Sequence, residues 1–148
     1  MKFAVDYIEE LKKALAGLDI AAVGQAVSLL KEARDLGRSV FVLGNGGSAA
    51  IAAHLVVDLL KGASHGRAKK FKIMSLADNV PTLTAYLNDV GPDDVFVEPL
   101  KNFARKDDAV IAISGSGDSR NILAAVEYAA GIGCRTVAMT RTGGGRLR

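Results

Sequence analysis

The stretch that decides the fold is residues 40–58, Val40-Phe41-Val42-Leu43-Gly44-Asn45-Gly46-Gly47-Ser48-Ala49-Ala50-Ile51-Ala52-Ala53-His54-Leu55-Val56-Val57-Asp58. Val40–Leu43 is apolar at every position and half β-branched, the pattern of a buried strand. Gly44–Ser48 follows, with three glycines in five residues. Ala49–Leu60 then runs without Gly or Pro and reads as a helix. Strand, glycine turn and helix in that order make an anion site. Glycine lets the backbone turn sharply and lets a ligand approach it. The first N–H groups of the helix lack partners within the helix, and its dipole adds partial positive charge. Ser48 can cap the helix or give its hydroxyl to a phosphate oxygen. From this loop alone, an ordinary tight strand-to-helix turn explains the residues equally well.

Composition sets the bounds around that unit. The 148 residues fit one domain, on a prior of roughly 100–200 residues per domain, and 49% hydrophobic content is enough for a real core. With 5% aromatics and no Trp, that core must be aliphatic and rich in alanine. The formal net charge of +3 is mild and suits small anions as well as it suits nucleic acid. A single cysteine, Cys134, excludes an internal disulfide framework and reads as a small buried residue at a strand entrance. Met1 to Lys13 carries acids early and is not a signal peptide. No run approaches the ~18–20 apolar residues of a membrane span. The expectation is a soluble, cytoplasmic protein with no membrane partner.

Upstream, Phe3, Tyr7, Ile8, Leu11, Ala14, Leu15 and Leu18 recur at helical spacing and mark an amphipathic helix. Asp19 is placed to cap a second helix through Ile20, Val23, Val27, Leu30 and Ala33, which Gly37 stops. These stripes can pack on a sheet or against a second copy of the chain. Downstream, Ser64–Lys70 reads as a basic loop and Phe71–Leu76 as a second strand. Residues 77–81 read as a turn into a short helix with Pro81 near its start, and 87–94 as a polar turn. Val95–Arg105 reads as a helix that Pro99 kinks unless it sits in the first turn. Asp108–Ile113 is a third strand, Asn121–Gly131 a helix and Arg135–Thr140 a fourth strand, before a glycine turn at 142–148. Uniformly apolar strands alternating with helices argue a parallel sheet covered on both faces. The expected architecture is one domain over 1–148, with a helical pair at 1–37 and an α/β core at 38–148.

The second glycine loop is Ile113-Ser114-Gly115-Ser116-Gly117-Asp118-Ser119-Arg120-Asn121. Its serine hydroxyls and free backbone N–H groups can hold a phosphate without a fixed positive charge. A helix cap needs one serine, and three are present. Neither loop carries the lysine of a P-loop or the full dinucleotide glycine spacing, so no nucleotide cofactor is expected. The basic run at His65, Arg67, Lys69, Lys70 and Lys72 lacks the interleaved aromatics of a single-strand binder. It reads as a solvated loop, and no nucleic-acid partner is expected.

Together, Gly44-Asn45-Gly46-Gly47-Ser48 and Ile113-Ser114-Gly115-Ser116-Gly117-Asp118-Ser119 resemble the sugar isomerase (SIS) family, and within it the phosphoheptose isomerases. The resemblance runs from the N-terminal helices through Gly145. It implies a three-layer αβα sandwich with a flavodoxin-like parallel sheet, usually in a tetramer with active sites between subunits. It implies aldose–ketose isomerisation of a phosphorylated sugar, sedoheptulose 7-phosphate to D-glycero-D-manno-heptose 7-phosphate. On it, Ser114, Gly115, Ser116 and Ser119 hold the phosphate, and Asn45, Gly46, Gly47 and Ser48 line the substrate. Asn88 and Asp89 match a substrate-contacting Asn-Asp pair.

His54 and Asp58 lie four apart and share a helix face, a spacing that fits either a metal clamp or an unliganded surface pair. The resemblance aligns them with a zinc-binding His and a catalytic Glu. Asp58 is one methylene shorter, a change of about 1 Å, and misplacement of that order can lower a rate ~100-fold. The resemblance also places a Gln and a second His on a last strand and C-terminal helix beyond Arg148, and has an acid where Gly143 stands. On that reading the zinc ligand set within residues 1–148 is incomplete and the sheet lacks its last strand. The catalytic candidates are Asp58 as base and Asp89 to orient or polarise substrate hydroxyls. The competing expectation is a SIS module that has lost its chemistry and binds a phosphosugar or a protein.

Overall fold

A computed structural model describes residues 2–148. Its centre is a four-stranded parallel sheet of β1 (Ser39–Gly44), β2 (Lys72–Ser75), β3 (Ala109–Ile113) and β4 (Arg135–Met139), in the order β2-β1-β3-β4. The helices are α1 (Lys2–Ala16), α2 (Ile20–Leu36), α3 (Gly47–Val57), α4 (Val80–Asp89), α5 (Val97–Phe103) and α6 (Arg120–Gly131). The uniformly apolar strands do what burial on both faces requires. Phe41, Leu43, Val110 and Ala112 point to one side and meet Leu100 of α5 and Ile122, Ala125 and Ala129 of α6. Val40, Val42, Ala109, Ile111 and Ile113 point to the other and meet Leu29 and Ala33 of α2 and Ala52 of α3. Each large side chain so buried contributes about 1.5–3 kcal/mol, so β1 and β3 carry the core. The expected αβα sandwich is what forms.

Punctuation of the chain follows local chemistry. The Asp19 carboxylate accepts from Ala22 N at 3.0 Å and caps α2, and Gly37 ends it at φ 68°. The Asn79 side chain caps α4 by accepting from Thr82 N, with Pro81 in the first turn. Pro99 falls in the first turn of α5, where its missing N–H removes no helical bond. Cys134 is buried directly before β4.

Two expectations need correction, and two open alternatives narrow. The helix after the first loop is not continuous to Leu60: α3 ends at Val57 and a π-turn covers Asp58–Gly62, closed by Ala63 N donating to Asp58 O at 2.8 Å. Residues 87–89 belong to α4, which Leu83 and Tyr86 draw against the core, and not to a polar turn. The stripe of α1 does not pack on the sheet. The helix bends 67° away from α2 and buries no residue, leaving Phe3 84% and Tyr7 62% exposed. Ser48 is the second residue of α3 and does not cap it; Gly46 holds the cap position. No single helix among the described residues is long and apolar enough to cross a membrane.

From β1 the chain crosses to β2 on one side and later to β3 on the other. Strand order therefore reverses between β1 and β3. The crevice beyond their carboxyl ends is where open α/β sheets take ligands.

Candidate active site at the β1–β3 crevice

Gly44 pairs with Ile113, so the two glycine loops leave the sheet side by side. At Gly44 a Cβ would sit 2.8 Å from the main chain of Ser48, so only glycine lets the strand end lie against the first turn of α3. Gly46, at φ 50° and ψ −120°, holds a conformation that side chains disfavour. The amides of Ser48, Ala49 and Ala50 donate to the carbonyls of Asn45 and Gly46 at 2.9–3.3 Å. The first loop thus engages part of its own helix terminus and presents the exposed Asn45 at the rim.

The second loop is built differently. Ser114 is buried, and its hydroxyl accepts from Gly117 N at 3.1 Å. The hydroxyls of Ser116 and Ser119 each lie 3.5 Å from it. Ser116 Oγ also accepts from Asp118 N at 3.2 Å. Ser119 occupies the N-cap position of α6, yet its hydroxyl makes no capping bond. Three hydroxyls therefore gather at the positive end of α6, with the cap hydroxyl left available to an anion. The loop's outer side is closed by the glycine turn at 143–145 and a short 3-10 turn, Gly145–Leu147. Gly117, at φ 73°, passes so close to Gly144 that a Cβ would overlap its carbonyl oxygen. Leu147 N donates to Gly117 O at 3.1 Å and Arg146 N to Asp118 Oδ1 at 3.0 Å.

One direct link joins the two loops. Asn45 Nδ2 donates to Asn121 Oδ1 at 2.9 Å, and Asn121 Nδ2 donates back to Asn45 Oδ1 at 3.0 Å. Asn121 was not among the sequence-based candidates. Its signal, an amide side chain in the first turn of α6, gains meaning only when a partner 76 residues away is known.

The remaining candidates form two further pairs. His54 and Asp58 share the outer face of α3, with Nε2 and Oδ2 3.5 Å apart and side chains 78% and 62% exposed. Asp58 follows the 11-residue α3. At ~1.5 Å of rise per residue this places it about 16 Å along the helix from the first loop. Asn88 and Asp89 end α4, which packs on the sheet face that α6 covers and α3 does not, and Asn88 Nδ2 donates to Asp89 Oδ1 at 2.7 Å. Among the described residues, no hydrogen bond ties either pair to the loops. The residues of the basic run, His65, Arg67, Lys69, Lys70 and Lys72, are all exposed, as a solvated segment should be.

Known proteins share this fold. The sequence pattern of the SIS domain matches residues 5–141. The chain is 38% identical over 142 residues to a probable phosphoheptose isomerase of Thermoplasma volcanium, covering 96% of this chain and 72% of that protein. It is 37% identical over 139 residues to the phosphoheptose isomerase of Citrifermentans bemidjiense, covering 94% and 72%. The solved phosphoheptose isomerase of Francisella tularensis superposes with a TM-score of 0.88 at 31% identity, covering 99% of this chain and 75% of that one. The Neisseria gonorrhoeae phosphoheptose isomerase gives 0.85 at 29% identity, covering 99% and 77%.

Proposed function

The chain belongs to the SIS domain family, and on that premise we propose that it is a phosphosugar isomerase converting sedoheptulose 7-phosphate to D-glycero-D-manno-heptose 7-phosphate. The observation that carries the reading is the cluster of Ser114, Ser116 and Ser119 hydroxyls at the α6 terminus, beside the first loop. The phosphate sits there, on neutral donors and the helix dipole. Asn45, Gly46 and Gly47 border the sugar, with Ser48 behind them.

The reaction moves a proton between neighbouring carbons. A base takes the proton from the carbon next to the carbonyl, an enediol forms, and the proton returns to the former carbonyl carbon. Asp58 is the base in this reading, and His54, within 3.5 Å, orients its carboxylate. Asp89, held by Asn88, polarises a substrate hydroxyl. The helix length between the first loop and Asp58 favours a site completed across two copies, in which Asp58 of one chain serves the phosphate loop of another. The bare apolar face of α1 supports such a homo-oligomer.

Zinc is the metal implied by the family likeness, and the described residues do not fit it by themselves. A zinc site takes three protein ligands or more, whereas His54 and Asp58 supply two. No group of three His, Cys, Asp or Glu side chains able to hold a metal occurs among the described residues.

The test is to incubate the protein with sedoheptulose 7-phosphate and follow the anomeric signals of the aldose by NMR. Appearance of the aldose at a rate proportional to protein is expected. Binding of the sugar phosphate without turnover would replace the enzyme with a phosphosugar-binding module.

A further inference from the structure

The Asn45–Asn121 pair is the one direct side-chain bridge between the two glycine loops among the described residues, and its chemistry is specific. Each amide has two N–H donors and two acceptor positions. The reciprocal bonds, at 2.9 and 3.0 Å, use one of each on both side chains and lay the two amides in one ring. Asn45 keeps one N–H and one lone pair for the crevice, on an edge whose plane the ring fixes. Stability gives little reason for the pair. Asn45 is exposed, and a neutral hydrogen bond at the surface adds little to folding stability.

We propose that Asn121 is a positioning residue: through Asn45 it fixes the sugar-facing edge of the first loop at a set distance from the phosphate-binding serines of the second. The inference rests on the isomerase reading. A phosphate anchored at Ser114, Ser116 and Ser119 defines one end of the substrate. The reacting carbons lie toward the other end, and their placement depends on how rigidly the first loop is tied to that anchor. Without Asn121, Asn45 can rotate about its side-chain bonds, and the first loop loses its tie to α6. Phosphate affinity should survive this change, because none of the three serine hydroxyls bonds to either asparagine.

The experiment compares wild type, Asn121→Ala, Asn45→Ala and the double variant. Steady-state isomerisation is followed by NMR, inorganic phosphate binding by calorimetry, and melting temperature alongside. For Asn121→Ala the expected result is a fall of about 10- to 100-fold in kcat/KM, mostly in kcat, with phosphate affinity within about twofold of wild type. The double variant should be no slower than Asn45→Ala, because one residue acts through the other. Unchanged kcat/KM in Asn121→Ala, or losses that add in the double variant, overturns the inference. So does an Asn121→Ala protein that no longer binds phosphate or melts far below wild type, which would make the pair structural. A wild type that binds phosphate and shows no turnover overturns the isomerase reading itself, and the inference falls with it.

Discussion

At the scale of single residues, the site depends on hydroxyls that the fold leaves unspent. Ser119 stands where a helix cap stands and does not use its side chain as one, while Ser116 reaches Asp118 N and the buried Ser114 hydroxyl. Replacing both Ser116 and Ser119 by alanine should weaken sugar-phosphate binding by about 10-fold or more, on the order of 1.5–3 kcal/mol for hydrogen bonds to a charged group. Calorimetry reads this directly, and undiminished affinity would remove the phosphate from this loop. Asp58 makes the opposite kind of prediction. Its carboxylate stands one methylene short of the glutamate expected from the family likeness, so Asp58→Glu should keep or raise kcat; complete loss would mean that the pocket fits the shorter acid. Cys134 is a buried titratable group. Desolvation first, and the nearby Asp108 and Asp107 carboxylates after it, raise its thiol above its ordinary value. A raised folded-state value means that its stabilising contribution is full below the unfolded thiol pKa, about 8.5, and fades as pH climbs through the folded value. The melting temperature of wild type should therefore fall more steeply than that of Cys134→Ala above about pH 8.5. Parallel curves in a thermal melt series would refute the assignment.

At the scale of elements, the helices divide into those the sheet explains and one it does not. Helix α2 places Leu29 and Ala33 in the core, and α6 places Ile122, Ala125 and Ala129. Helix α1 has the same amphipathic spacing and buries nothing. Exposure of Phe3, Tyr7, Leu11 and Leu15 on one element is a larger apolar surface than a monomer comfortably shows to water. Leu11→Lys should shift the protein toward smaller species in light scattering, leaving the melting of the α/β core within a few degrees of wild type, because surface changes away from packed sites move stability by about 0.5 kcal/mol or less. An unchanged assembly would assign the stripe elsewhere. Periodicity made α1 and α2 legible, since an apolar residue every three or four positions is a local signal. It did not say what each stripe meets, which is a tertiary fact. The same limit explains α4: Leu87-Asn88-Asp89 is polar enough for a turn, and only packing of Leu83 and Tyr86 against the core reveals the helix.

At the scale of the whole molecule, both loops were legible because glycine and serine at strand ends are tied to backbone geometry that the sequence itself dictates. Their meeting at one rim followed from the parallel sheet. The bridge between Asn45 and Asn121 was not legible, because it depends on a distance across the fold. The finished sheet also grades stability in a way that can be measured. β1 and β3 lie in the middle, each paired on both sides, with Val40, Phe41, Val42, Leu43 and Val110 at most 1% exposed. β4 is an edge with mostly exposed side chains, and α1 has no buried contact. Amides in β1 and β3 should therefore exchange with solvent only through global unfolding, and those of α1 by local fraying. If α1 is covered by a second copy, its protection should rise with protein concentration, whereas that of β1 and β3 should stay level until assembly itself stabilises the fold. Hydrogen exchange at two concentrations separates the cases. Protection in α1 that is high and independent of concentration would mean that the helix packs within its own chain, and the homo-oligomer built on its bare face would go with it.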